Sequence, residues 1–323
     1  MPTATVAKLD QTFDELTART DASAAAIAIW KPGLGYWSRT YGIAAEPDKP
    51  FWWASVGKLA TATIILQLID EGKLTEETPI SDFFPNFQNA SSATVGDLLR
   101  HTSGIFSFNA DLKLREQTGY KTPAELIAVA DGHPLDFCPG TNWNYSNTGY
   151  VMLARIAEQI EGEPFAQLIE KRIAAPLELT SFRLLQSNDP SRSIVSLVSG
   201  KPEQIGEIAS VYGAGAIVAN PGDMLAFLHA YLEQGLVSSE VKDNALAPLY
   251  PMFGTAMSYG AGIMVTDVPD EQSPTTWIGH SGGSPDAKGL VLYDLRRDTY
   301  LAIALNNQAS AESIANAALK LLE

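Results

Sequence analysis

Cysteine is nearly absent from this sequence of 323 residues, because Cys138 is the only one. A single cysteine excludes a disulfide within the chain. Positive charge is also scarce: 22 lysines and arginines stand against 37 aspartates and glutamates, which gives a formal net charge of −15. This balance makes nucleic acid a poor partner, and it argues mildly against anionic membranes and against substrates with several negative charges.

Long apolar runs are missing as well, and no apolar stretch is continuous enough to span a bilayer. The N-terminal segment "MPTATVAKLDQTFDELTART" has neither the basic nor the apolar region of a signal peptide. We therefore expect no membrane span, and either a cytoplasmic protein or one whose secretory leader has been removed. The four histidines show no metal-ligand spacing, so we expect neither a metal nor a cofactor. The expected partner is a small-molecule or peptide substrate, and the sequence predicts no particular oligomeric state.

The composition is globular, with 46% hydrophobic and 18% charged residues. Apolar patterning and turn residues predict strands over 24–32 and 36–44 and in "TTWIGHSGG", "AKGLVLYDL" and "TYLAIALNN". Helices are predicted over 3–19, 54–71 and 220–235, across short segments between about 75 and 200, and in the C-terminal "AESIANAALKLLE". Strands therefore lie near both chain ends and helices lie between them.

This distribution predicts an α+β fold in which one antiparallel sheet, built from both chain ends, is interrupted by a mostly helical insertion. We expect a single domain over 1–323, with the sheet part at about 1–72 and 240–323 and the helical part at about 73–239. A crevice between the two parts is the natural place for a site.

The helix that begins in "FWWASVGKLATATIILQLIDEGKL" carries Ser55 and Lys58 on one face, three residues apart. Burial and the positive end of a helix both lower the pKa of a lysine, so this lysine is placed to accept the proton of a serine nucleophile. The spacing alone occurs by chance about once in a chain of this length. The second copy, Ser239 and Lys242 in "SEVK", is interpreted as solvated surface, and Ser55 as a plain helix cap remains an alternative.

Two further motifs occur once each in the chain. "NYSNTGY" contains Tyr145 and Asn147 just before a predicted helix, and "WIGHSGG" contains His280, Ser281 and Gly282 at the end of a predicted strand. As plain structure, the first motif is a loop tyrosine with a helix cap and the second is a turn. Their joint occurrence with Ser55 and Lys58, in this order, favours a functional interpretation.

With these three motifs the chain resembles the serine β-lactamase and penicillin-binding protein superfamily. Within it, the chain is similar to the class C β-lactamase branch, which includes D-alanyl-D-alanine carboxypeptidases, D-aminopeptidases, D-amino-acid amidases and esterases. "DLLRHTSGI" at 97–105 and "GAGAIVANPGDMLAFLHAYL" at 213–232 extend the resemblance over nearly the whole chain. The fold it implies is β-lactamase/transpeptidase-like.

The resemblance implies a role for each motif residue. Ser55 would be the nucleophile that forms an acyl-enzyme, and Lys58 and Tyr145 would share the proton transfers, with either as the base. A neighbouring charged lysine would ease ionisation of Tyr145. Asn147 would bind the substrate carbonyl and hold Lys58. The backbone N–H groups of Ser55 and Gly283 would form the oxyanion hole. The residues of the third motif would bind substrate: His280, Ser281, Gly282 and Gly283.

"GHSGG" also matches the nucleophile elbow of α/β-hydrolases, with Ser281 as nucleophile. That motif requires a helix after the serine and a later histidine, and neither follows here, so the match is rejected. Cys138 is expected to be a packing residue rather than a nucleophile. Arg296 and Arg297 are candidates for binding a carboxylate, but a surface position is favoured for both.

The histidine at 280 bears on the substrate, because class C β-lactamases usually carry lysine there. An uncharged histidine favours a carboxypeptidase, D-amidase or esterase over a β-lactamase. Two alternatives stay open: a class C-like β-lactamase, and a catalytically inactive penicillin-binding-like receptor.

Overall fold

The computed structural model describes residues 1–42, 48–88, 92–189, 202–254, 256–269 and 274–323. Its strands are β1 (Ala24–Lys31), β2 (Gly35–Gly42), β3 (Phe51–Trp52), β4 (Arg183–Leu184), β5 (Ile217–Ala219), β6 (Tyr250–Pro251), β7 (Met257–Tyr259), β8 (Met264–Val268), β9 (Thr275–Ser284), β10 (Ala287–Asp294) and β11 (Thr299–Leu305). Its helices are α1 (Thr3–Ala18), α2 (Gly57–Asp70), α3 (Val95–Arg100), α4 (Leu112–Arg115), α5 (Pro123–Asp131), α6 (Asn147–Glu161), α7 (Phe165–Ile169), α8 (Pro202–Ser210), α9 (Pro221–Glu233), α10 (Ser239–Ala245) and α11 (Ala311–Lys320).

The main sheet has eight strands in the order β2-β1-β11-β10-β9-β8-β7-β6, and every neighbouring pair is antiparallel. Its centre joins the two ends of the chain, since Ala25 of β1 pairs with Leu305 of β11. The α+β prediction of an antiparallel sheet built from both ends is confirmed. The division into two parts near residues 72 and 240 stays a prediction.

Both faces of the central strands are covered, which explains why β1 is almost entirely apolar. The alanines at 24, 26 and 28 face the core that includes α2 and α9. Ala25, Ile27 and Ile29 face the opposite core, formed with α1 and α11. The small alanine side chains let α9 pack closely against β1.

Capping and turn residues in the sequence predicted the positions of several elements. Asn220, the predicted cap of the helix at 220–235, accepts a hydrogen bond from the Asp223 backbone nitrogen at 2.7 Å, and Pro221 occupies the first turn of α9. The predicted strand at 36–44 is β2, while residues 43 and 44 lie outside the described residues. Among the described residues, no helix is both long and apolar enough to cross a membrane.

A second, three-stranded sheet in the order β3-β5-β4 was not predicted. Its strands have two or three residues, too few for any periodicity to show. It holds the segment that leads into α2, because Trp53 Nε1 donates to the Ala219 carbonyl at 2.8 Å and the Trp53 side chain is buried. The start of α2 is thereby fixed against the main core.

Candidate active site

Ser55 lies in a single 3₁₀ turn, Ala54–Val56, that precedes α2. The predicted helix over 54–71 is therefore two elements, and Lys58 is the second residue of the α-helix. Ala54 has a φ of 46°, a left-handed conformation that is unfavourable for a residue with a Cβ. This 3₁₀ turn places Ser55 one turn before Lys58. Ser55 is half-buried, whereas the residues of α2 that follow it are nearly all buried.

The Lys58 amine is fully buried and makes three contacts. Its Nζ lies 2.6 Å from Asn147 Oδ1, 2.6 Å from the Ala214 carbonyl oxygen and 3.3 Å from Ser55 Oγ. Burial lowers the pKa of Lys58 well below 10.5, because a charged amine loses its hydration there. A neutral amine has two protons, which the two carbonyl-type oxygens take, so its lone pair is left for the Ser55 hydroxyl.

The Tyr145 ring lies beside this amine, with Lys58 Nζ 4.8 Å from the ring centroid. The Tyr145 hydroxyl is buried and has no regular hydrogen bond among the described residues. Burial raises the pKa of Tyr145, and the smaller opposing influence of the Ser55 hydroxyl does not offset it. The expectation that Lys58 eases ionisation of Tyr145 is wrong, because a buried amine of lowered pKa offers no fixed charge.

Asn147 is the first residue of α6 and is held from two sides. Its backbone nitrogen donates to Ser107 Oγ at 2.9 Å, and its Nδ2 donates to Asn109 Oδ1 at 2.9 Å. Ser107 Oγ donates in turn to Asn109 Oδ1 at 2.6 Å. These contacts orient the amide oxygen toward Lys58. Ser107 and Asn109 lie just beyond the quoted "DLLRHTSGI" segment, and sequence reasoning missed them.

Gly282 and Gly283 of β9 differ in what surrounds them. A Cβ at Gly282 would lie 2.5 Å from the Trp53 carbonyl oxygen and 2.7 Å from the Ser55 backbone nitrogen. A Cβ at Gly283 would have its nearest neighbour at 3.8 Å, on the Lys288 side chain. Gly282 is therefore required by the close approach of β9 to the Ser55 turn, a reason that lies within the chain rather than with a substrate.

His280 and Ser281 precede these glycines. His280 is 1% exposed, and both ring nitrogens contact groups of this chain: Tyr259 Oη at 3.1 Å from Nε2 and the Ser281 carbonyl oxygen at 2.6 Å from Nδ1. Ser281 is half-buried, and its Oγ lies 3.6 Å from Met264 Sδ. The structure thus brings all the predicted motif residues to one place, with the His280 ring turned into the protein.

Other residues that the sequence singled out lie elsewhere. Ser239 is exposed on α10, whereas Lys242 is half-buried and donates to the Leu232 carbonyl, so only the serine is solvated surface. Cys138 is exposed, and its expected packing role is wrong. Arg297 is 4% exposed and pairs with Asp294, so its expected surface position is wrong as well, whereas Arg296 is exposed.

Several known proteins are similar to this chain in sequence. A putative penicillin-binding protein of Bacillus subtilis, PbpX, is 32% identical over 242 residues, which cover 73% of this chain and 59% of that protein. A teichoic acid D-alanine hydrolase of Staphylococcus aureus is 26% identical over 231 residues, which cover 69% of this chain and 55% of that protein. This chain therefore spans little more than half the length of either relative.

A D-amino acid amidase from Ochrobactrum anthropi SV3, solved in complex with D-phenylalanine, has the same fold. Its TM-score is 0.85 at 21% identity, and the superposition covers 99% of both chains. The sequence pattern of the family described as beta-lactamase matches residues 9–323. The chain therefore belongs to the beta-lactamase family and has the fold of that amidase.

Proposed function

We propose that the protein cleaves amide or ester bonds through an acyl-enzyme on Ser55, with a specificity of the D-alanyl-D-alanine carboxypeptidase, D-amidase or esterase type. The observation that carries this proposal is the Lys58 amine, buried beside Ser55 with both of its neutral-state protons committed to other acceptors. Relatives described as a D-alanine hydrolase and a D-amino acid amidase support the substrate class.

Acylation begins when the lone pair of Lys58 takes the proton of the Ser55 hydroxyl. The Ser55 oxygen then attacks the substrate carbonyl carbon, and the carbonyl oxygen becomes an oxyanion. The backbone N–H groups of Ser55 and Gly283 would donate to this oxyanion, since β9 lies against the Ser55 turn at Gly282. The Asn147 amide, fixed by Ser107 and Asn109, would bind the carbonyl on the acyl side.

Collapse of the tetrahedral intermediate requires a proton for the leaving group. The Tyr145 phenol is neutral at physiological pH, because burial raises its pKa, and it is placed to donate this proton. The protonated Lys58 then returns the Ser55 proton to Tyr145, so the charge on the lysine is transient. Water attacks the acyl-enzyme by the same route in reverse, which regenerates Ser55 and releases the acid.

The first experiment is intact-mass measurement after treatment with a fluorophosphonate or a penicillin. One adduct on Ser55 is expected, and a folded protein without an adduct would support the alternative of a catalytically inactive receptor.

A substrate panel separates the remaining alternatives by kcat/KM. A nitrophenyl ester and a D-alanyl-D-alanine peptide or D-amino acid amide are expected to be turned over faster than a chromogenic cephalosporin. A dominant cephalosporin rate would instead identify a class C-like β-lactamase.

A further inference from the structure

The tautomer of His280 is set by its own neighbour in the chain. Its Nδ1 lies 2.6 Å from the Ser281 carbonyl oxygen. A carbonyl oxygen only accepts hydrogen bonds, so Nδ1 carries a proton in this contact. In the neutral imidazole, Nε2 is then an acceptor, and the group 3.1 Å from it is the Tyr259 hydroxyl.

Tyr259 belongs to a chain of contacts that joins the sheet to the helical region. Its Oη lies 3.2 Å from Tyr150 Oη on α6, and Tyr150 donates to the Leu99 carbonyl at 2.8 Å. When His280 is neutral, three protons serve the four contacts: those on His280 Nδ1, Tyr259 Oη and Tyr150 Oη. The carbonyl oxygens of Ser281 and Leu99 take the protons of His280 and Tyr150. The Tyr259 proton is therefore the single proton available to both His280 and Tyr150.

The surroundings keep this imidazole uncharged. The ionisable groups that interact with it are Lys58 on α2, His101 after α3 and Tyr259 on β7. Burial, and secondarily Lys58, lowers the pKa of His280 to about 3. At neutral pH the histidine of this motif thus brings no positive charge to the site.

The same contact supports the strand that borders the nucleophile. β8 pairs with β9 only as far as Gly279, so the Ser281–Gly283 edge extends beyond its strand neighbour on that side. The described contacts that hold this edge there are the His280–Tyr259 hydrogen bond and the weak contact of the Ser281 N–H with Met264 Sδ at 3.4 Å. On the other side, Lys288 pairs in register with Gly283, and its amine is bound to Glu312 at 2.6 Å.

We propose that Tyr259 is a positioning residue that acts through His280. Its hydroxyl fixes Nε2 of the imidazole, whose Nδ1–H is bound by the Ser281 carbonyl, and so holds the Ser281–Gly283 edge against Ser55. The uncharged ring leaves the leaving-group side without a cation. The substrates preferred by such a site are amides or esters whose leaving group carries no carboxylate. This specificity rests on the proposed acyl-enzyme function, whereas the tautomer of His280 does not.

The tautomer is tested first, without turnover, by ¹⁵N NMR of the histidine side chains, with His280 assigned from the spectrum of His280→Asn. The wild type is expected to show a protonated Nδ1 and a bare Nε2 between pH 5 and 8. In Tyr259→Phe the Nε2 loses its hydrogen-bond partner, so its ¹⁵N resonance is expected to shift, while burial still keeps the ring uncharged in this range. A wild-type imidazole that carries its proton on Nε2, or an Nε2 resonance that is unchanged in Tyr259→Phe, would overturn the proposal.

Kinetics of a D-alanine p-nitroanilide test the positioning role. Loss of one positioning hydrogen bond is expected to lower kcat of Tyr259→Phe about tenfold with KM changed by less than about twofold. The control is Tyr231→Phe, because the Tyr231 hydroxyl is buried on α9 and has no hydrogen-bond partner in the described part of the chain. Equal kcat values in the two variants, or a loss confined to KM, would contradict the role.

The substrate claim is tested on the wild type by comparing that anilide with a D-alanyl-D-alanine peptide, whose leaving group carries a carboxylate. The anilide is expected to have a kcat/KM at least about tenfold higher. If the kcat/KM of the peptide equals or exceeds that of the anilide, the proposed specificity is refuted, even if the tautomer of His280 is as described. A wild type that forms no adduct on Ser55 would refute the proposed function and leave the NMR result standing.

Discussion

The Lys58 amine and the Asn147 amide oxygen are 2.6 Å apart, although the residues lie 89 positions apart in the chain. The contact joins the first turn of α2 to the first residue of α6. The Asn147 and Ala214 oxygens accept the two protons of a neutral Lys58 amine, so its lone pair is directed toward Ser55. The reactivity of Ser55 is therefore expected to depend on the helical insertion as much as on its own helix.

Ser55→Ala is expected to abolish the fluorophosphonate adduct and to lower hydrolysis of nitrophenyl esters by about 10⁴-fold or more, because no other nucleophile replaces the hydroxyl. Intact mass and steady-state kinetics measure the two effects. Ser239→Ala is the matched control, since it removes the serine of the other Ser-x-x-Lys copy from an exposed position. Full ester hydrolysis by Ser55→Ala would show that the nucleophile lies elsewhere.

Lys58 is expected to make stability depend on pH. Burial lowers its pKa below 10.5, so between the folded-state pKa and 10.5 the unfolded chain binds one more proton than the folded chain. The free energy of unfolding then rises with pH in this window, by up to about 1.4 kcal/mol per pH unit. Lys58→Met removes this contribution and also inactivates the enzyme.

Urea denaturation at pH 7, 8 and 9 measures that slope. Lys242→Met serves as control, because Lys242 is half-buried and belongs to the other Ser-x-x-Lys copy. If Lys58→Met and the wild type show the same slope, then Lys58 is protonated in the folded protein and is not the base.

Tyr145→Phe is expected to slow anilide hydrolysis more than ester hydrolysis. An anilide nitrogen must be protonated to leave, whereas p-nitrophenolate leaves as an anion. General-acid catalysis of this kind contributes about 10²–10⁴-fold, and we expect a loss in this range for the anilide alone. The measurement is kcat for a matched D-alanine anilide and nitrophenyl ester, with Tyr36→Phe, an exposed tyrosine, as control. Equal losses on both substrates would assign Tyr145 a role other than proton donation.

Gly282→Ala and Gly283→Ala form a matched pair. The added methyl at Gly282 would lie 2.5 Å from the Trp53 carbonyl oxygen, so β9 or the Ser55 turn must shift. We expect this variant to lose about 1–3 kcal/mol of stability and most of its activity. Gly283→Ala meets nothing closer than 3.8 Å and is expected to keep its stability within about 0.5 kcal/mol. Thermal unfolding compares them, and equal stability of the two variants would show that β9 is mobile at Gly282.

Elements with a strong local pattern could be predicted from sequence. The strands β1 and β11 carry nearly continuous apolar runs, and α9 has both its cap and its terminal glycine in place. The short strands β3–β5 could not be predicted, because two or three residues show no periodicity. The left-handed backbone at Ala54 was equally invisible, since alanine carries no signal for it.

Site residues could likewise be predicted only where the local sequence forms a motif. Ser55, Lys58, Tyr145 and Asn147 were found because their spacing forms motifs, and the structure brings them together. Asn109 contacts Asn147 and Tyr259 contacts His280 from distant parts of the chain, and nothing in their local sequence marks these partners. The buried orientation of His280 depends on Tyr259, so its position along the chain could be predicted but the direction of its ring could not.

The pairing of β1 with β11 has a consequence for the order of folding. Ala24 donates to Asn306 Oδ1 across 282 positions, so the centre of the sheet closes only after the last strand has been synthesised. Contacts of such long sequence separation raise the contact order and slow folding. The Ser55 turn packs against Gly282 of β9. A nascent chain that lacks β9–β11 therefore contains Ser55 without the strand that packs against it. Assembly of the proposed active site is thus expected only after β9–β11 have been synthesised.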